Sequence, residues 1–314
     1  MMKNNKILIT GGAGYLGSIL TPLLLDEGYE ITVLDNFLYN QSSLLDCCNN
    51  KNLTIIRGDV RDKKVVEEAL RDKDIIIHLA AIVGAPACDL DPQRATTTNL
   101  DATKLILSLR KSEQKIIFPC TNSGYGIGEK DKFCTEDTPM NPISLYGKNK
   151  VESEKIILES GNSLSFRFAT VFGVSPRMRL DLLVNDFVYR AVKDKFIVIF
   201  EGDFKRNYIH IRDVARVFLH GIKNFDNMKG ESYNVGLSDA NLSKIELCKK
   251  IKLQIPEFVF LESSIGEDLD KRDYIVSNEK IEKTGFKPKN TLDEGIEELI
   301  KCYKIIKSKE YRNF

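Results

Sequence analysis

The chain has 314 residues, 42% of them apolar and 29% charged, with only 9 Pro and 20 Gly. That balance belongs to a folded protein with one large or two coupled domains, and it excludes the disordered and fibrous classes. Lys plus Arg number 46 against 45 Asp plus Glu, a net charge of +1, and without a basic stripe nucleic acid is not an expected partner.

Met1 to Asn5 lead straight into an apolar strand, with no long apolar stretch ending at a small-residue cleavage site. The most apolar segment, Ile75 to Cys88, is interrupted by His78, Gly84 and Pro86 and falls short of the ~20 apolar residues of a membrane span. The 7 Cys include no C-x-x-C pair and none of the 3 His has a second at i+4, which speaks against a disulfide framework and a metal site. A cytoplasmic protein without metal or membrane contact is expected.

In chain order, β-branched runs predict strands over 6–10, 30–35, 53–58, 75–79, 115–119 and 163–169, separated by predicted helices over 15–27, 63–70, 99–112 and 145–160. Ile75-Ile76-Ile77 and Ile116-Ile117-Phe118 are unbroken apolar runs, as in strands buried on both faces. The alternation predicts an α/β fold with a doubly wound parallel sheet over residues 1–172. Beyond Gly173 it fades into a smaller α+β domain, 173–314, from which 207–224 is expected to return to the first.

Directly after the first strand, Thr10-Gly11-Gly12-Ala13-Gly14-Tyr15-Leu16-Gly17 opens a helix. Glycines at 11, 14 and 17 permit a tight turn and close backbone approach to a pyrophosphate at a helix N-terminus, the Rossmann-type dinucleotide arrangement, although a glycine-rich hairpin gives the same spacing. The second strand ends at Asp35, where an acid accepts hydrogen bonds from a ribose diol and repels a 2′-phosphate, so NAD is expected over NADP. Asn36 follows it, and Asp59-Val60 closes the third strand near the adenine edge or lies in a solvated turn.

Ser144 is a predicted N-cap for a helix that carries Tyr146 and Lys150 four apart on one face. A phenol acting as base near neutral pH needs its pKa lowered by ~3 units, which a neighbouring ammonium favours. Upstream, the fifth strand runs into Thr121-Asn122-Ser123-Gly124-Tyr125-Gly126, hydroxyls at the carboxyl edge of the sheet where ligands bind.

These residues, with His78-Leu79-Ala80-Ala81, Asn99, Arg167 to Gly173 and Arg206-Asn207-Tyr208-Ile209-His210, resemble the extended short-chain dehydrogenase/reductase family, in its nucleotide-sugar epimerase and dehydratase branch. The resemblance implies a Rossmann domain with a smaller nucleotide-sugar domain and a homodimer or larger homo-oligomer. It implies NAD held by Gly11, Gly14, Tyr15, Leu16, Gly17, Asp35, Asn36, Asp59, Val60, Leu79, Ala80, Ala81, Tyr146 and Lys150. It also implies oxidation at sugar C4, with Tyr146 as base, Lys150 on the nicotinamide ribose and lowering the Tyr146 pKa, and Thr121 in the place of the family's catalytic Ser or Thr. The nucleotide sugar would lie against Thr121, Asn122, Thr170, Arg179, Asn185, Arg206 and Arg272.

Departures from the family pattern at Ser123 narrow the reaction. The dehydratases of the family place a Glu two residues after the catalytic Thr, and the 3,5-epimerases a Cys in the same stretch, where this chain has Ser123; Thr170 replaces an Asn common among relatives near a phosphate contact. The expectation is therefore a 4-keto sugar formed without loss of water. The stretch Arg167 to Arg179 resembles members that oxidise GDP-heptose or GDP-hexose at C4. A UDP-galactose-type 4-epimerase and a non-catalytic NAD-sensing protein are the alternatives.

Overall fold

The computed structural model describes residues 5–263 and 272–306. Its first half alternates β1 (Lys6–Thr10), α1 (Gly17–Asp26), β2 (Glu30–Asp35), β3 (Leu53–Arg57), α2 (Lys63–Leu70), β4 (Ile75–His78), α3 (Ala85–Leu90), α4 (Pro92–Thr96), α5 (Ala102–Leu109) and β5 (Lys115–Thr121). Then come β6 (Phe133–Cys134), α6 (Leu145–Glu159), β7 (Ser163–Phe168), β8 (Thr170–Phe172), α7 (Leu183–Lys193), β9 (Phe196–Ile199), β10 (Lys205–His210), α8 (Ile211–Lys223) and, after a short helix, β11 (Ser232–Val235).

Seven strands form one parallel sheet in the order β11-β7-β5-β4-β1-β2-β3. The strand order reverses between β1 and β4, which opens a crevice at their carboxyl ends where ligands bind in such sheets. Burial explains the sequence runs. Ile7, Ile9, Ile31 and Val33 pack with Leu20 and Leu24 of α1 and Val214 and Phe218 of α8. Leu8, Ile76, Ile116 and Phe118 face Val66, Ile106 and Ile157 on the other side. With both faces covered, the central strands cannot alternate with polar residues.

Two features of the fold carry no mark in the sequence. The helix expected from residue 99 is preceded and opened by a π-turn over Thr97–Asp101, and the strand over Lys205–His210 does not join the large sheet. It pairs with β8 and with Asn241–Ser243 in a three-stranded sheet, while α8 packs on α1 and β11 pairs with β7. Gly236 makes the close approach behind β10 possible, since a Cβ there would stand 1.5 Å from Asn207 Oδ1. Among the described residues no helix is long and apolar enough to cross a membrane, and no group of three or more His, Cys, Asp or Glu could hold a metal ion.

Candidate active site

A cavity of about 450 Å³ opens over the carboxyl ends of β1, β2, β4, β5 and β7. Its floor begins at the glycine loop. A Cβ on Gly11 would meet Ala80 N at 2.7 Å, and one on Gly17 would meet the Gly12 backbone at 2.5 Å, so the loop closes only without side chains. A Cβ on Gly14 would meet only Gly11 O within contact distance, at 3.2 Å, so this position opens onto the cavity. Tyr15 and Leu16 continue the wall.

Asp35 ends β2 and is 7% exposed. Its Oδ2 accepts from Ala13 N at 3.0 Å, and its Oδ1 accepts from Phe37 N at 2.8 Å and Gln41 Nε2 at 3.3 Å. Burial raises its pKa, opposed by those backbone N–H groups. The carboxylate is thus oriented from below while lining the cavity. Asn36, Val60, Leu79, Ala80 and Ala81 complete this end of the wall. Asp59 is not brought to it: the carboxylate is paired with Arg61 at 2.7 Å and lines a separate open cleft with Asp62 and Asp101.

The opposite end carries the chemistry-bearing side chains. Ser144 caps α6 through Oγ, which accepts from Gly147 N at 3.1 Å. The first two turns of that helix present Tyr146 and Lys150 to the cavity. Lys150 is 4% exposed, its Nζ stands 3.9 Å from the centroid of the Phe118 ring, and burial pushes its pKa down to about 8. Burial drives the Tyr146 phenol up. The Arg179 and Arg272 charges act against that rise. In the protein alone desolvation outweighs the neighbouring charges.

Thr121 and Ser123 line the same wall. Thr121 Oγ1 donates to Ser123 Oγ at 2.9 Å and accepts from Ser123 N at 3.1 Å, and the Arg272 guanidinium donates to Ser123 Oγ. Asn122 points elsewhere: it is fully buried, absent from the cavity wall, and its Nδ2 and Oδ1 have no partner in the protein. Thr170, Arg179, Arg206 and Arg272 reach the cavity, joined by Lys244. Arg179 is ion-paired with Asp181, which lines the same space. Asn185 is not in the wall. It accepts from Gly173 N at 3.0 Å and donates to Tyr15 Oη at 3.2 Å and Arg179 O at 2.8 Å, which makes it a brace for the segment above the site.

That segment, 173–179, crosses the glycine loop as a strap. Tyr15 Oη donates to Gly173 O at 2.7 Å, Ser175 Oγ donates to Tyr15 O at 2.7 Å, and the Arg177 guanidinium lies 4.2 Å from the Tyr39 ring centroid. From behind, Asn99 in the π-turn fixes the loop after β4: Oδ1 accepts from Ile82 N at 2.8 Å and Nδ2 donates to Ile82 O at 2.9 Å. Beneath α6 lies a buried ion pair missed in the sequence, Arg167 Nε to Glu154 Oε2 at 2.9 Å. Glu154 Oε1 also accepts from Ser165 Oγ at 2.6 Å. These partners are 13 residues apart on different elements, and no spacing rule links them.

Sequence and structure comparisons bear on the family and the fold. The description "NAD dependent epimerase/dehydratase family" matches residues 7–236. The UDP-glucose 4-epimerase of Bacillus subtilis is 28% identical over 77% of this chain and 80% of its own length. The dTDP-D-glucose 4,6-dehydratase of Bos taurus is 26% identical over 95% of this chain and 88% of its own. Among solved structures, the UDP-glucuronic acid 4-epimerase from Bacillus cereus, in complex with UDP-glucuronic acid and NAD, superposes with a TM-score of 0.81 at 26% identity, covering 96% of this chain and 99% of that one.

Proposed function

Because the chain belongs to the NAD-dependent epimerase/dehydratase family, we propose that it oxidises C4 of a nucleotide-activated sugar and releases the 4-keto sugar without loss of water. The residues suit NAD: the glycine loop admits no side chain at Gly11 and Gly17, Gly14 opens onto the cavity, and Asp35 is oriented at the far end. Bound there, NAD supplies the hydride acceptor.

The observation that carries the proposal is the meeting of Tyr146, Lys150 and Thr121 in the cavity that begins at the glycine loop. Tyr146 takes the proton of the C4 hydroxyl, Asp35 accepts from the adenosine ribose, and Lys150 donates to the nicotinamide ribose. The raised pKa of the desolvated phenol means that bare Tyr146 is protonated at neutral pH; the base forms when further positive charge enters the site beside it. Arg206 and Arg272 are suited to the diphosphate by their forked donors. Water loss needs a proton donor where Ser123 stands, and a serine hydroxyl held by an arginine is not an ordinary general acid.

We take the substrate to be a GDP-linked hexose or heptose, on the resemblance of Arg167 to Arg179 to proteins acting on such sugars. A second reading, 4-epimerisation, is favoured by the strap over the glycine loop, because a cofactor enclosed there is held through a redox-neutral cycle. Incubation with NAD and GDP-mannose, a GDP-heptose, UDP-glucose and UDP-galactose tests both. A ketone with accumulated NADH supports the first, the C4 epimer alone supports the second, and a product lighter by one water contradicts both.

A further inference from the structure

Ser123 is 3% exposed and lines the cavity. Its Oγ accepts two hydrogen bonds, one from Thr121 Oγ1 at 2.9 Å and one from the Arg272 guanidinium. A hydroxyl has one proton and two acceptor lone pairs. Both Ser123 lone pairs are occupied, so its own proton is left for a third partner. Thr121 is in the opposite state: its proton goes to Ser123, and its oxygen accepts from Ser123 N at 3.1 Å.

We propose that Ser123, rather than Thr121, is the hydroxyl that donates to the sugar oxygen at the oxidised carbon, and that Arg272 is the positioning residue that polarises it. The proposal rests on the C4-oxidation reading. As Tyr146 takes the proton, negative charge grows on that oxygen before the carbonyl forms. A donor backed by a fixed cation stabilises that charge more than it stabilises the starting alcohol. The Ser123 proton stays on Ser123 throughout, and no bond to Ser123 forms or breaks. Arg272 also acts on the Tyr146 phenol, in the direction that favours the phenolate. Cation, donor hydroxyl and base therefore form one unit, assembled from partners 149 residues apart in the chain.

The test uses the full chain with NAD and saturating GDP-mannose, a GDP-heptose, UDP-glucose or UDP-galactose, following hydride transfer in a single turnover. Removing one such donor costs about 10²- to 10³-fold. Ser123→Ala should show a loss of that order with unchanged binding of UDP or GDP, Ser123→Thr should stay within about fivefold of wild type, and Thr121→Val should lose less than Ser123→Ala. For Arg272, whose removal also weakens nucleotide binding, the readout is the pH profile of the saturated rate. Its acidic limb should move to higher pH in Arg272→Ala and return in Arg272→Lys, whereas an arginine serving only the diphosphate would raise KM and leave the limb in place. A Ser123→Ala rate within about threefold of wild type, or a larger loss in Thr121→Val, overturns the proposal. A wild-type protein that transfers hydride from none of these sugars contradicts the C4 reading and the proposal with it.

Discussion

Lys150 Nζ rests 3.9 Å from the centroid of the Phe118 ring, on the side of β5 that faces α6. The ammonium is thus taken out of water onto an aromatic face, which offsets only part of its desolvation. With a folded pKa near 8 against 10.5 for the free side chain, the charged lysine destabilises the folded protein at neutral pH. Lys150→Met should therefore raise stability at pH 7 by on the order of 2 kcal/mol while abolishing oxidation. The sign follows from proton counting: between pH 8 and 10.5 the unfolded chain holds the extra proton, so the wild type gains stability over that range and the advantage of the variant fades. Denaturant melts across pH 7 to 11 check this, and a constant difference would contradict it.

His78 gives the complementary acid limb. Its ring lies between Thr10 Oγ1 at 2.7 Å and Thr103 Oγ1 at 3.2 Å, and burial, aided by the Lys150 charge, pushes its pKa down to about 3. The folded ring stays neutral while the unfolded one protonates below about 6.5, so stability is fully present above that pH and is lost as pH falls toward 3. His78→Gln should flatten this part of the stability profile, by an amount on the order of a few kcal/mol at pH 4. An unchanged slope would assign the acid loss to other groups.

The Glu154–Arg167 pair predicts an asymmetry between single and double replacement. Both side chains are buried, at 4% and 9% exposure, so Glu154→Gln leaves a buried guanidinium without its counter-charge and should cost ~3–5 kcal/mol. Glu154→Leu combined with Arg167→Met should cost clearly less than the sum of the two single changes. Additive losses in thermal melts would show that the two residues act independently.

Asp35 bears on cofactor choice. Its carboxylate is fixed by the Ala13 and Phe37 backbone groups, so Asp35→Ala removes an oriented acceptor and also leaves those two N–H groups without it. NADH affinity should fall about tenfold, and the gap between NADH and NADPH should narrow. Tighter binding of NADPH than NADH by the wild type would reverse the assignment.

Much of the sheet was legible in the sequence because its central strands are buried on both faces: Ile75-Ile76-Ile77 cannot read otherwise when Ile76 packs toward α5 and its neighbours toward α1. The glycine loop and the Tyr146 and Lys150 pair were equally legible, being local spacings at an element boundary. The π-turn at Thr97–Asp101 left no mark, since one extra residue in a helix changes no composition. Nor could spacing reveal that Phe118 underlies Lys150, that Asn185 braces the strap from outside the cavity, or that Arg272 holds Ser123. Each is a contact between distant elements, and the same serine reads in the sequence as a hydroxyl at the sheet edge and a missing Glu, with nothing to tie it to Arg272.

The central claim is that Tyr146 is the base at C4, and the direct measurement is single-turnover hydride transfer in Tyr146→Phe. The substitution removes one phenolic oxygen from a half-buried ring and leaves Ser144, Lys150 and the glycine loop in place. The rate should fall by about 10²- to 10⁴-fold, while NADH affinity and the melting temperature stay at wild-type values. A variant that reduces NAD at the wild-type rate would contradict the account.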